Sequence, residues 1–239
     1  MADETEREQR VDAGQLQELV RRACERCGMA PHDAGLLADT LVTADQRGVH
    51  SYGVLRVPEY VERLTRDGVD SRSRPRVVRD EGACLVVDGG NSMGQIGASF
   101  AMEQALACAA TTGIAAVAVR GSNHCGAMAY YAMQARPHDM IGLATTNALP
   151  PMAPWGGAER LLGINPLAVA IPTGEEPPIV YDAAFSASSH GKIRVSLQKG
   201  LPIPAGWATD RAGRPTTDPA EASRGLLQPI GGFKGQPWP

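Results

Sequence analysis

The stretch Ala83-Cys84-Leu85-Val86-Val87-Asp88-Gly89-Gly90-Asn91-Ser92-Met93-Gly94-Gln95-Ile96-Gly97 decides the fold. Ala83 to Val87 is a short apolar run rich in β-forming residues, the pattern of a buried strand. Beyond the glycines, a long Ala-rich helix is predicted from about Gln95 to Thr111. Gly113 punctuates, and Ile114 to Val119 reads as a second buried strand. Downstream the alternation continues: a helix near Ala127 to Gln134, a strand at Met140 to Thr145, strands at Leu167 to Ile171 and Ile179 to Tyr181, and a helix around Ser188 to Gln198. Strands alternating with helices define an α/β class, a sheet layered by helices.

The glycine-rich segment sits where a dinucleotide-binding fingerprint would sit. Its spacing is not G-x-G-x-x-G, and the next strand ends on Arg120 rather than on an acidic residue. A tight turn between strand and helix is the better reading, and a Rossmann fold is not expected. Upstream the pattern is helical. Leu16, Leu19, Val20, Ala23, Cys24 and Cys27 form one apolar stripe that stops at Gly28. A second helix is predicted from His32 to Gln46. Ser51 to Arg66 again has helical spacing, and Pro58 requires a kink or a helix start close to it. The expected organisation is a disordered tail (1–12), an N-terminal helical part (13–72), a mixed-sheet α/β/α core (73–235) and an end at 236–239 that reads as truncated.

The chain has 239 residues, 43% hydrophobic and 21% charged, enough for a buried core. With 5% aromatics that core is aliphatic. A formal charge of -3 argues against a nucleic-acid partner. No apolar run has the length of a membrane span, and the charged start lacks a secretory core, so a cytoplasmic location is expected. The 5 cysteines are odd in number and scattered, as reduced thiols would be. Cys24-x-x-Cys27 looks like half a metal site, yet both fall on the apolar stripe without a second pair; core thiols are the better reading and no metal is expected.

Several short constellations carry polar chemistry. Arg120-Gly121-Ser122-Asn123-His124-Cys125-Gly126 follows a buried strand and sets an imidazole among glycines. In open α/β sheets ligands collect beyond the carboxyl ends of strands, and a histidine there exchanges protons near neutral pH. The bland reading is a histidine that caps a helix. His50-Ser51-Tyr52-Gly53-Val54-Leu55-Arg56 joins several polar groups; if helical, Tyr52 and Arg56 share a face and His50 points elsewhere. Arg suits a fork-like grip on a carboxylate, and a surface arginine is the alternative. Asn147 and Asn165 flank a Pro-rich apolar loop, where they either fix a polar ligand or brace the loop itself. Lys234 lies in Gly231-Gly232-Phe233-Lys234-Gly235, a shape suited to an anion, though taken alone a solvated turn is the better reading.

Taken together and in order, these landmarks resemble the type 2 malate/L-lactate dehydrogenase family. They are Ala44-Asp45-Gln46-Arg47-Gly48 with Ser51-x-Gly53 and Arg56; Ser122-Asn123-His124; Asn147 with Ala153-Pro154-Trp155-Gly156-Gly157; Asn165-Pro166; Tyr181-Asp182 with Ser186; Gly191-Lys192-Ile193; Thr217-Asp218-Pro219; and the Lys234 loop. The resemblance implies NAD- or NADP-dependent hydride transfer with a small 2-hydroxy or 2-oxo acid, on a mixed-sheet fold that is not a Rossmann domain, in a homodimer. It assigns His124 as acid/base, Arg56 to the substrate carboxylate, Asp182 and Lys234 to the cofactor, and Asn147 and Asn165 to the pocket and cofactor. Where the family reads Ser-His-Gly, this chain has Ser51-Tyr52-Gly53. A phenol with pKa ~10 donates a hydrogen bond but is a poor proton shuttle at neutral pH. His50 does not substitute readily, because two residues on a helix span ~200°. The competing reading is a non-catalytic, truncated homologue.

Overall fold

The computed structural model describes residues 10–66 and 68–232; Lys234 and the end at 236–239 lie outside them. The chain forms two compact units, Met1–His138 and Asp139–Pro239.

The first unit begins with helices α1 (Ala13–Arg26) and α2 (Pro31–Gln46). Asp12 caps α1 by accepting from the Gln15 N–H at 2.9 Å, and Pro31 starts α2 with its fixed φ. The predicted helix over 51–66 is shorter. Two 3-10 turns, His50–Tyr52 and Val54–Arg56, precede α3 (Val57–Thr65), with Pro58 in its first turn. A proline tolerates that position because its missing N–H would be unpaired there anyway. Val20, Cys24, Leu37, Leu41, Tyr60 and Leu64 interlock in one core that also takes Met93 and Ile96. Cys24 is thus a packed thiol, and burial pushes its pKa up to about 11. Leu37 is completely buried, so Leu37→Ala is expected to cost about 2–5 kcal/mol in urea unfolding, with an unchanged dependence on denaturant.

The sheet of this unit has the order β1 (Arg76–Asp80), β2 (Cys84–Ser92), β3 (Ala116–Ser122). β1 pairs antiparallel to β2 and β2 parallel to β3, so the sheet is mixed. Helix α4 (Gly94–Thr112) makes the crossover and ends at Gly113, whose φ of 78° stops it. The glycine-rich segment is therefore not the expected turn. Asp88 to Ser92 continue β2 through a break in register, held by the Asp88 carboxylate, which accepts from Gly90 N–H at 3.0 Å and pairs with Arg120 at 3.1 Å. Where a Rossmann phosphate loop would lie, the chain runs as strand to Ser92 and enters α4 at Gly94. The first unit closes with α5 (Ala129–Ala132) and a 3-10 segment, Met133–His138.

In the second unit β4 (Gly142–Thr145), β5 (Leu167–Ile171) and β6 (Ile179–Ala183) form an antiparallel sheet. Helix α6 (His190–Lys199) is capped by Ser189, which accepts from Lys192 N–H at 3.2 Å. The short strands β7 (Ala208–Thr209), β8 (Pro215–Thr216) and β9 (Leu226–Leu227) make a third sheet beside α7 (Pro219–Arg224). The Thr217-Asp218-Pro219 landmark is the start of α7: Asp218 caps it and Pro219 opens it. Among the described residues no helix is long and apolar enough to cross a membrane.

Candidate active site

The 3-10 turns after α2 are pinned by one carboxylate. Asp45 accepts from Val54 N–H at 2.8 Å, and its other oxygen meets His50 Nδ1 at 2.9 Å. A Cβ on residue 53 would stand 2.0 Å from that carboxylate, so the close approach requires Gly53. His50 is thereby tied to Asp45 and largely exposed. Tyr52 and Arg56 come together across the turns, with the guanidinium carbon 5.8 Å from the centre of the phenol ring. Arg56 is itself held: Nε donates to Ser51 O at 2.8 Å and Nη1 to Glu59 at 2.8 Å. Glu59 also pairs with Arg63 at 2.9 Å. Burial alone would raise the Glu59 pKa, but its bond to Arg56 and the two positive charges hold it below the usual range.

His124 belongs to the same unit. It follows β3 and does not cap a helix, since α5 begins only at Ala129. Asn123 anchors the segment: its Nδ2 donates to Asn91 Oδ1 at 2.9 Å, Asn91 O at 3.2 Å and Ser92 O at 2.9 Å. The first turn of α4 abuts this segment so closely that a Cβ on residue 94 would lie 2.2 Å from Asn123 O and 2.7 Å from the His124 carbonyl. The His124 ring stacks on Tyr52, with centroids 5.8 Å apart and planes 15° apart. Its Nδ1 lies 2.6 Å from Tyr60 Oη. Tyr60 Oη in turn accepts from Gln95 Nε2 at 3.1 Å. Tyr60 is 1% exposed and Gln95 fully buried. Both residues escaped the sequence reading: Tyr60 falls on the apolar stripe of α3, where it counts as core, and Gln95 sits in the glycine-rich run. The one usable signal was Tyr60 standing four residues after Arg56, on its helical face.

Burial, followed by the fields of Arg56 and Arg63, pushes the His124 pKa down to about 4; Glu59 opposes. The imidazole is neutral at pH 7. Below pH 6.5 the unfolded chain binds a proton at this residue that the folded chain takes up only near pH 4. This contribution to stability is therefore complete above 6.5 and is lost as pH falls toward 4. It amounts to at most about 3 kcal/mol. Urea unfolding of the parent and of His124→Gln at several pH values in that window isolates it: the parent is expected to lose more stability on acidification than the variant.

The other candidates belong to the second unit. Asp182 is exposed on β6, opposite Ala168. Asn147 is exposed in the loop after β4. Asn165, at φ 36°, accepts from Ala148 N–H at 3.1 Å, so its carbonyl oxygen braces the Pro-rich loop. Lys234 lies outside the described residues. Among the described residues no group of three or more His, Cys, Asp or Glu is placed to hold a metal.

The first unit thus sets the His124 imidazole against the Tyr52 ring on one side and a buried Tyr60–Gln95 pair at Nδ1. The sequence model of malate/L-lactate dehydrogenase matches residues 11–237, and the chain belongs to that family. It is 41% identical over 225 residues to the malate dehydrogenase of Pyrococcus horikoshii, covering 94% of this chain and 62% of that protein. It is 39% identical over 217 residues to the L-sulfolactate dehydrogenase of Methanocaldococcus jannaschii, covering 91% and 63%. The solved structure of the Methanocaldococcus jannaschii sulfolactate dehydrogenase superposes with a TM-score of 0.88 at 37% identity, covering 94% of this chain and 65% of that one. The chain thus spans a little under two thirds of the length of these relatives.

Proposed function

We propose that the chain is an NAD(P)-dependent oxidoreductase that transfers hydride between a nicotinamide and a small 2-hydroxy or 2-oxo acid of the malate or lactate kind. Family membership and the named activities of the relatives support this reading. The observation that carries it is the placement of His124, with Nδ1 on Tyr60 Oη and its ring stacked on Tyr52.

The chemistry that a nicotinamide would supply when bound is donation or acceptance of the hydride. Asp182, Asn147, Asn165 and Lys234 are the residues that would hold it. An exposed carboxylate such as that of Asp182 is an acceptor of the kind ribose hydroxyls pair with, which fits. Arg56, oriented by Ser51 and Glu59, meets the substrate carboxylate with the N–H groups that those bonds leave. Tyr52 covers one face of His124 and excludes water from it. His124 gives a proton from Nε2 to the carbonyl oxygen in reduction and takes it back in oxidation. Orientation of the reacting groups supplies on the order of 7–11 kcal/mol at best. A homodimer, carried by the family resemblance alone, and a cytoplasmic location complete this reading.

The purified chain is mixed with NADH or NADPH, and nicotinamide fluorescence is followed before and after addition of pyruvate, oxaloacetate and related acids. Enhanced fluorescence and then its loss through turnover are expected. Neither response from a chain that unfolds cooperatively would establish the non-catalytic homologue, the reading that Tyr52 in place of the family histidine favours.

A further inference from the structure

A neutral imidazole that gives up its only N–H becomes an imidazolate, a base too strong to persist at neutral pH. The proton must therefore be replaced at Nδ1, and the group standing there is the Tyr60 hydroxyl, 2.6 Å away. The direction of that hydrogen bond is set one step further back. Gln95 Nε2 donates to Tyr60 Oη at 3.1 Å. An oxygen that accepts from a carboxamide N–H turns its own hydrogen elsewhere, and the neighbour able to accept it is His124 Nδ1. The two residues behind the imidazole are enclosed: Gln95 is fully buried and Tyr60 is 1% exposed, so water does not compete for the bond between them.

We propose that Gln95 and Tyr60 form a proton-delivering chain behind His124, in which Gln95 orients the Tyr60 hydroxyl toward Nδ1 and so keeps the imidazole proton on Nε2. Gln95 is a positioning residue, and Tyr60 is the proton reserve. The inference rests on the reading of His124 as the proton donor. As the carbonyl carbon receives the hydride, the C=O π pair moves to oxygen. That oxygen takes the Nε2 proton, Nδ1 takes the Tyr60 proton, and a phenolate is left. Burial raises the Tyr60 pKa, and the Gln95 N–H and the positive field of Arg56 offset only part of that, so the phenolate is a transient species. Once product leaves, Nε2 of the partly exposed His124 takes a proton from solvent and Nδ1 returns its own to Tyr60, restoring the phenol; oxidation runs the same steps in reverse. An alkoxide is a stronger base than a phenolate, so the proton moves downhill. The carboxamide orientation matters: Gln95 Oε1 is buried without a partner among the described residues, and the opposite orientation would reverse every bond in the chain, leaving the proton on Nδ1.

The test is nitrogen NMR of isotope-labelled protein at neutral pH, which distinguishes the two neutral tautomers of His124 without any turnover. The unsubstituted chain is expected to show the proton on Nε2. Tyr60→Phe and Gln95→Leu are expected to shift the population toward Nδ1–H, and Tyr60→Phe to lower kcat by about tenfold or more with KM little changed. An Nδ1–H signature in the unsubstituted chain, or a tautomer that ignores Tyr60→Phe in a variant with native circular dichroism, overturns the relay; the measurement on the unsubstituted chain decides even if a variant misfolds. Turnover together with Nδ1–H leaves the oxidoreductase standing and removes the relay. An Nε2–H signature in a chain that neither binds NADH or NADPH nor turns over overturns the reaction, and with it the role given to Tyr60.

Discussion

His124→Gln is expected to leave the fold intact and to lower kcat by on the order of 10²–10⁴-fold, the range assigned to a positioned acid/base group. The glutamine amide can offer Tyr60 an acceptor in place of Nδ1, so the buried hydroxyl keeps a partner. It can also donate to a substrate oxygen, but it exchanges no proton at neutral pH. The loss therefore falls on the chemical step. Arg56 is held by Ser51 and Glu59, not by His124, so KM for the 2-oxo acid is expected to change little. Steady-state consumption of NADH or NADPH over a range of acid concentrations separates the two constants. Turnover equal to that of the unsubstituted chain removes His124 from the mechanism.

Gly94→Ala is expected to destabilise the protein by roughly 1–3 kcal/mol and to reduce activity more than stability alone explains. Helix propensity taken alone predicts the opposite, a gain of about 1 kcal/mol in a helix such as α4. Sterics prevail because the obstacle is backbone. The new Cβ would stand 2.2 Å from Asn123 O and 2.7 Å from the His124 carbonyl. Neither can rotate away, and Asn123 is fastened to Asn91 and Ser92. The 123–124 segment would have to move off α4, carrying the imidazole away from Tyr60. Gly35→Ala is the matched control. Gly35 lies in α2 with nothing within 4 Å of the added carbon, so propensity acts unopposed and a gain of roughly 0.5–1 kcal/mol is expected. Denaturant unfolding of the two variants with opposite signs supports this account; equal signs refute it.

Local order was legible wherever a periodic pattern met a stop signal. The stripe ending at Gly28, the run from His32 to Gln46 and the Ala-rich stretch ending at Gly113 all form helices within a residue or two of expectation. Leu167 to Ile171 is a strand as predicted. β1 went unseen because its residues are all exposed, so no alternation marks it. The two-residue strands of the third sheet carry no pattern at all. Asp88 to Ser92 reads as a turn by composition, yet pairing with β3 and the Asp88–Arg120 contact draw it into the sheet. In the site, His124, Tyr52 and Arg56 were visible as polar groups in short constellations, and the structure brings all three together.

By itself the sequence determined the helices, several strands, the aliphatic core and the family, because each depends on residues a few positions apart or on motifs in fixed order. Tertiary structure alone decided which partner His124 has. Tyr60 reaches it across 64 positions and Gln95 reaches Tyr60 across 35. No periodicity records a hydrogen bond over that distance. Such bonds arise only when packing of α3 and α4 residues into one core brings their polar atoms within reach.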